Sequence, residues 1–356
     1  MEVVRQHVEH RESYRVMAKR IRERSGRTIS PTTLNRIVQN IGKRSKSVFE
    51  MSLELKPRWE GYLVADEKMV SVRGEHQWFY LAVDSSGDIV HVRAVPELTS
   101  TEAMKFLEEI TTSLRYPVRG VSTDFDSSLG FAVQKLFAGK PHQLCLKHAF
   151  SSLEKLIGYK AFAQRQRWNQ TTMRGEFEKL RDKKGIWVEK ARKGFFENYR
   201  EYTTLSKRHK HLEILRKHLH QIVFARAETL AAERLQAFKR MYVHALVKRQ
   251  RKEAVKFLER HWDKLMIYHN YLGLPRTTNL VENVNKQLQR RMKTIEAFQS
   301  QTGAEQYINL LVGYLRQKPY TDCRGKRKHL NGFSRLEAAG VKLEQKDWIK
   351  NCLKNP

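Results

Sequence analysis

The sequence predicts an α/β fold in which a five-strand region is split along the chain by an all-α insertion and preceded by a small helical head. Three observations carry this. The apolar pattern changes from helical spacing to short strand-like runs near Gly61. Strand and helix patterns then alternate as far as Cys145, after which strand character is lost until helices rich in apolar residues resume beyond Pro275. The expected boundaries are 1–58 for the head and linker, 59–150 for the first part of the core and 151–275 for the insertion. Residues 276–315 make the closing core helices, and 316–356 a basic connector and tail.

The 356 residues include 68 Lys and Arg against 38 Asp and Glu, a formal net charge of +30. An excess of that size calls for a polyanionic partner, and nucleic acid is the leading one. With 40% hydrophobic residues and six Trp the chain is nonetheless globular. No run approaches the ~20 apolar residues of a membrane span, and the start lacks a signal-peptide pattern, so no membrane partner is expected. Cys145, Cys323 and Cys352 are odd in number and scattered. That fits a reducing cytoplasmic location without a disulfide framework.

In the head, Tyr14, Met17, Ala18 and Ile21 mark one apolar helix face, which Gly26 interrupts. Ser30 as N-cap and Pro31 at the first helical position restart a helix striped by Leu34, Ile37, Val38 and Ile41. Helix, turn, helix at this length predicts a helix-turn-helix. Its second helix turns Thr32, Thr33, Asn35, Arg36 and Gln39 outward, side chains suited to phosphates and base edges. The Lys43–Lys46 run and Pro57 read as linker.

Beyond Gly61, Tyr62–Ala65 is a short apolar run closed by Asp66 and prolonged by Met69–Val72. Trp78–Val83 and Ile89–Val95 follow as strands of an antiparallel meander, with Asp84 and Asp88 in the connecting turn. A helix over Thr101–Leu114 precedes a strand ending in Asp124. Leu129, Val133 and Leu136 mark a helix that Asp126 is placed to cap, and His142–Cys145 is a fifth strand. Asp66 and Asp124 stand apart from Asp84, Asp88 and Asp126 because each closes an apolar strand.

After Thr277-Thr278-Asn279, the residues Leu280, Val281, Val284 and Leu288 fall at helical spacing. Glu282, Asn285, Lys286 and Gln289 share the opposite face, with Arg290 and Lys293 a turn further on. Taken alone, that face is equally an i,i+4 Glu–Lys pair on a solvated helix. Between residues 151 and 270 there are 29 Lys and Arg against 13 Asp and Glu, a net +16 on amphipathic helices that can lie along a duplex. Stripes of Ala231, Leu235, Phe238, Tyr242 and Ala245, and of Ala254, Leu258, His261, Leu265 and Tyr268, mark two of them. Trp168, Trp187 and Trp262 are expected in the core.

Asp66, Asp124 and Glu282 resemble the three acids of DDE transposases, with Asp124 58 positions after Asp66 and Glu282 a further 158 on. Cys145-Leu146-Lys147-His148 is similar to the C-x-x-H that follows the second Asp in the Mutator-type superfamily. The resemblance spans roughly residues 59–315. It implies an RNase H-like core, a mixed five-stranded sheet with flanking helices, interrupted by a helical insertion. It also implies two Mg²⁺ (or Mn²⁺) ions held by Asp66, Asp124 and Glu282, with Asp66 bridging. Water would attack first to free a 3′-hydroxyl, which would then attack target DNA. Lys286, Arg290 and Arg291 would hold the backbone near the cleavage point. The implied partners are double-stranded DNA, as transposon ends and target, and further copies of the chain in a homodimer or larger complex. The protein would then be DNA-associated in the nucleoid and belong to a mobile genetic element. An integrase or nuclease on the same core, and a domesticated DNA-binding protein without catalysis, are the competing expectations. Cys145 and His148 supply only two of the four ligands of a structural zinc, which leaves them a packing or DNA-contacting role.

Overall fold

A computed structural model describes residues 1–182, 186–293, 295, 298–343, 345 and 347–354. It is an α/β protein made of two units, one of Met1–Cys145 with Tyr271–Pro356, the other Leu146–Asn270. The first unit opens with four helices, α1 (Glu2–Val8), α2 (Tyr14–Ser25), α3 (Pro31–Arg44) and α4 (Val48–Leu55). Ser13, Ser30 and Ser47 cap the last three, and Gly26 closes α2 in the left-handed conformation, φ 67°, that glycine adopts without strain. Then follow β1 (Tyr62–Val72), β2 (Glu75–Asp84), β3 (Ile89–Val95), α5 (Ser100–Glu108), β4 (Gly120–Thr123), α6 (Ser127–Leu136) and β5 (His142–Leu144). The sheet order is β3-β2-β1-β4-β5, antiparallel from β3 to β1 and parallel from β1 to β5.

Strand alternation sorts the core into two layers. Leu63, Ala65, Tyr80 and Ala82 face α5 and α6, meeting Phe106, Leu107, Ile110, Leu129 and Val133. Val64, Phe79, Leu81 and Val83 face the opposite way. There they meet Val281, Val284 and Leu288 of α12 (Asn279–Met292), and Tyr307, Leu310, Leu311 and Leu315 of α13 (Gln301–Gln317). Val4, Val8, Val38, Val48 and Met51 belong to that same layer, so residues 1–58 are built into the core of the sheet unit. The tail is built in as well. After the short α14 (Arg335–Ala338), α15 (Trp348–Cys352) brings Trp348, Ile349 and Cys352 into the layer. Lys46 N donates to Cys352 O at 2.7 Å, and Trp348 Nε1 to Glu9 Oε1 at 2.5 Å.

The β2–β3 turn holds two aspartates with no exposure at all. Asp84 accepts from the backbone N–H groups of Glu60, Gly61 and Ser86 and from the Tyr116 hydroxyl. Gly61 sits here at φ 93°, where a Cβ would lie 2.3 Å from Pro117 O. Asp88 accepts both arms of the Arg316 guanidinium, at 2.9 and 2.7 Å, and Trp59 Nε1 at 3.0 Å. Arg316 Nη1 also donates to Ser52 Oγ at 3.0 Å, which ties α13 and α4 to the turn. The sequence expectation of ordinary turn chemistry describes the Ser86 N–H contact of Asp84 and misses the burial.

The second unit is helical: α7 (Leu146–Leu156), α8 (Tyr159–Asp182), α9 (Ile186–Val223), α10 (Glu228–Arg240) and α11 (Lys248–Met266). Most of the stretch expected as an insertion, 151–275, lies in it. Leu212, Leu215, Leu219, Leu235, Phe238, Ala254 and Leu258 are buried. Trp168, expected in the core, is 62% exposed. Trp262 is half-buried, and the side chain of Trp187 lies outside the described residues. Tyr242, expected on the helical stripe, is 89% exposed because α10 ends at Arg240 and Met241 is extended, with ψ 143°. Among the described residues no helix is long and apolar enough to cross a membrane.

Two measurements test this architecture. Arg316→Met leaves the Asp88 carboxylate buried without its cation, and urea denaturation is expected to show a loss of about 3–5 kcal/mol; a loss within experimental error would mean the pair does not hold the turn. His7 is buried between Glu12 O (2.7 Å) and the Tyr307 hydroxyl (2.8 Å), and burial pulls its pKa below 6.5 despite the bond to Glu12. A depressed folded-state pKa means that the unfolded chain takes up the proton first as pH falls. The stability tied to neutral His7 is therefore complete above about pH 6.5 and declines below it. The His7→Gln variant should be less stable at neutral pH and lose less between pH 7 and 5.5 than the parent.

Candidate metal centre

β1 is an eleven-residue strand and β4 a four-residue one. Their parallel ladder pairs Tyr62, Leu63 and Val64 with Gly120, Val121 and Ser122 and then stops. Past Val64 the β4 side of β1 has, among the described residues, no strand partner until the bridge of Val72 to Phe298. Asp66, Glu67 and Lys68 lie on that free stretch, and Asp124 directly follows β4. Asp66 is thus in the middle of β1, still paired with Leu81 of β2, where the sequence suggested a strand end. It does mark the end of the parallel ladder, which is where β4 gives out.

The carboxylates of Asp66, Glu67 and Asp124 lie within 4.8 Å of one another. Alternation starts Asp66 and Glu67 toward opposite faces, and past the end of β4 both side chains can converge on Asp124. Glu67 is the participant that sequence reasoning missed. Burial, and after it the charges of Asp124, Asp66 and Asp126, push its pKa up to about 8. Asp124 Oδ1 accepts the N–H of Asp126 at 2.8 Å, and Asp126 caps α6 through Leu129 N, as its position suggested.

α12 supplies the third side. Asn285 Nδ2 donates to Asp66 Oδ2 at 3.0 Å, and Lys68 Nζ bonds Gln289 Oε1. The face expected to carry Glu282, Asn285 and Gln289 is therefore turned toward β1. Glu282 lies one turn before Asn285. Its carboxylate accepts the Thr278 hydroxyl at 3.0 Å and approaches Lys286 Nζ at 3.9 Å. Thr278, just before α12, makes no side-chain cap bond; its N–H and hydroxyl reach Cys145 Sγ, each at 3.3 Å. The Cys145 thiol in turn is within 4.8 Å of the Glu282 carboxylate. Among the described residues Glu282 is not in the close group of Asp66, Glu67 and Asp124. His148 is half-buried in the first turn of α7.

Of the expected DNA contacts, Thr32 and Arg36 are exposed on α3, while Thr33 and Asn35 are half-buried. Thr33 Oγ1 is 2.9 Å from the capping Ser30 hydroxyl. Lys286 and Arg290 are exposed. Arg291 differs from expectation: it is 4% exposed, donates Nε to Val8 O at 2.9 Å and lies over the Tyr314 ring at 5.0 Å. Position 291 follows Leu288 by three and Val284 by seven, so it continues the buried stripe and does not face a phosphate.

The donor set fits a hard divalent cation. It is all oxygen: three carboxylates at close range, with Glu67 Oε2 and Asn285 Oδ1 both buried without a hydrogen-bond partner. Gathered carboxylates repel each other, and a cation between them removes that cost. No family model and no curated protein matches this chain.

Proposed function

We propose that the chain is a DDE-type DNA transposase, related to the Mutator type, which binds the ends of its element and carries out metal-dependent DNA cleavage and strand transfer. The observation that carries this is the meeting of Asp66 and Asp124 at the point where the β1–β4 ladder ends, with the helix bearing Glu282 docked on Asp66 through Asn285. An RNase H-like core is inferred from the order of three strands, helix, strand, helix and strand, together with the β3-β2-β1-β4-β5 sheet. A helix-turn-helix is inferred for α2 and α3, whose exposed Thr32 and Arg36 suit a DNA groove. The net charge of +30 suits a polyanionic substrate.

Asp66, Asp124 and Glu282 would hold Mg²⁺ or Mn²⁺, as a pair of ions, with Glu67 and Asn285 offering further oxygens. Such ions activate an oxygen nucleophile and neutralise charge on a leaving oxygen. The protein's own part is positional. β1 and β4 fix the two aspartates on rigid backbone. Asn285 orients Asp66, and Thr278 orients Glu282 from the opposite end of the helix turn. Lys286 and Arg290, exposed on α12, are placed to hold the DNA backbone beside the acids. Further copies of the chain would pair two DNA ends.

Asp66→Asn, Asp124→Asn and Glu282→Gln should each abolish nicking and strand transfer in Mg²⁺. Without metal the thermal stability of the two aspartate variants should hold or rise, since each removes one repelling charge. Asp126→Asn keeps the α6 cap and should leave cleavage largely intact. Asp84 is unsuitable as a control because its four hydrogen bonds are structural. Normal activity in Glu282→Gln would sink the assignment, and cleavage without any strand-transfer product would leave a nuclease.

Recognition of the ends is testable without truncation, which would remove Val38, Val48 and Met51 from the core. Thr32→Ala with Arg36→Ala is expected to erase the preference for the element's own ends in competition gel shifts and to spare nicking of arbitrary duplex. Retained preference would move recognition away from α3.

A further inference from the structure

The second unit contains a cleft of about 750 Å³ between the end of α10 and the start of α11, joined by a 3₁₀ turn at Ala245–Val247. Its lining includes six cations, Lys239, Lys248, Arg249, Arg251, Lys252 and Lys256, against two acids, Glu253 and Glu259. The acids are already committed: Glu259 pairs with Lys239 at 2.6 Å and Glu253 with Lys256 at 3.4 Å. Arg251 is committed too, donating to the carbonyls of Lys239 and Met241 that end α10. Lys248, Arg249 and Lys252 remain, all exposed and none with an acidic partner among the described residues.

Their placement is costly for the protein by itself. Four of the first five residues of α11 are cations, and its first turn holds no acid. Helix starts favour negative charge, and cations three and four apart repel. An anion in the cleft offsets both terms, being attracted by the cations and by the helix start. The lining lacks aromatic rings, side-chain amides and hydroxyls, which leaves its contacts to a nucleic acid to Lys and Arg, the side chains that lead in phosphate contacts.

We propose that this cleft binds the phosphodiester backbone of DNA without regard to sequence, through Lys248, Arg249 and Lys252. This rests on the nucleic-acid reading above and adds to it a holding site separate from the acids and from α3.

The test is the salt dependence of duplex binding by the full chain, measured by fluorescence anisotropy on a random-sequence duplex. Three proteins are compared: the parent, Lys248→Gln/Arg249→Gln/Lys252→Gln, and a control losing the same charge at exposed positions of α8 and α9, Arg167→Gln/Lys193→Gln/Arg200→Gln. Loss of three phosphate contacts should make the log K against log salt slope shallower by about 2 to 3 and, for lines that converge near 1 M, weaken binding by about 10² to 10³ at 0.1 M salt. The control should change distinctly less. Equal losses in the two triple variants would reduce the effect to net charge and overturn the cleft, as would an unchanged slope in the first. In both cases steep salt dependence in the parent would leave the nucleic-acid reading standing, whereas a parent that does not bind duplex would end both. Pyrophosphate is titrated in parallel. If it binds more tightly than duplex and loses that binding in the first variant, the cleft holds a small anion and the backbone assignment fails.

Discussion

The whole arrangement depends on a mismatch of length. β1 is long enough to pair with β2 over ten register positions, while β4 accompanies it for only three. The antiparallel side makes β1 rigid, and the truncated parallel side leaves one edge open. Backbone rigidity without a neighbouring strand is what lets adjacent residues with opposite pleat directions, Asp66 and Glu67, direct carboxylates to one place. A β4 two residues longer would insert its own side chains there. The same open stretch receives α12, whose buried stripe of Val281, Val284 and Leu288 sets the rotation that points Asn285 at Asp66.

Rigidity at that edge has to be maintained from the other end of the sheet, and buried polar groups do this. Asp84 gathers the chain entering β1 through Glu60 and Gly61, and Asp88 gathers α13 and α4 through Arg316 and Ser52. Buried ion pairs contribute little to net stability compared with apolar packing, but they are intolerant of misplacement. Their effect here is specificity: the β2–β3 turn, the first helices and the last long helix fit together in one way. The tail strengthens this, since Arg335 Nη1 donates to Gly87 O in the same turn.

Much of this was legible. The order of strands and helices, the helix caps at Ser30 and Asp126, and the polar face of α12 all follow from local patterns, which is the range over which periodicity and capping act. What was not legible depends on distant partners. Asp84 and Asp88 carry the same local signal as any turn aspartate, and the cation that buries Asp88 lies 228 residues away. Glu67 was hidden because strand alternation assigns it to the other face, and only the early end of β4 removes that constraint. β1 itself looked interrupted, since Asp66-Glu67-Lys68 breaks the apolar run while β2 pairing continues through it. Arg291 is the opposite case: its place on the stripe of Val284 and Leu288 was readable, and the pull of a cation-rich run obscured it.

Charge supplies the last step. A polyanion is attracted to a chain of +30, yet the point at which the proposed chemistry occurs is locally negative, and after burial the charges of Asp124, Asp66 and Asp126 hold the Glu67 pKa up. A phosphate cannot approach that group unless positive charge intervenes, and of the cations near it Lys286 is engaged with Glu282, Lys68 bonds Gln289, and Arg291 is buried. Holding DNA and cutting it are therefore separate electrostatic tasks on the proposed reading. Lys and Arg on outer helix faces would do the first through many weak, salt-sensitive contacts. The second would be left to divalent ions, which concentrate charge where side-chain ammonium groups would neutralise the acids without activating any oxygen. On that reading, the proposed ions would supply the counter-charge for Asp66, Glu67 and Asp124, whose carboxylates are gathered at one strand edge.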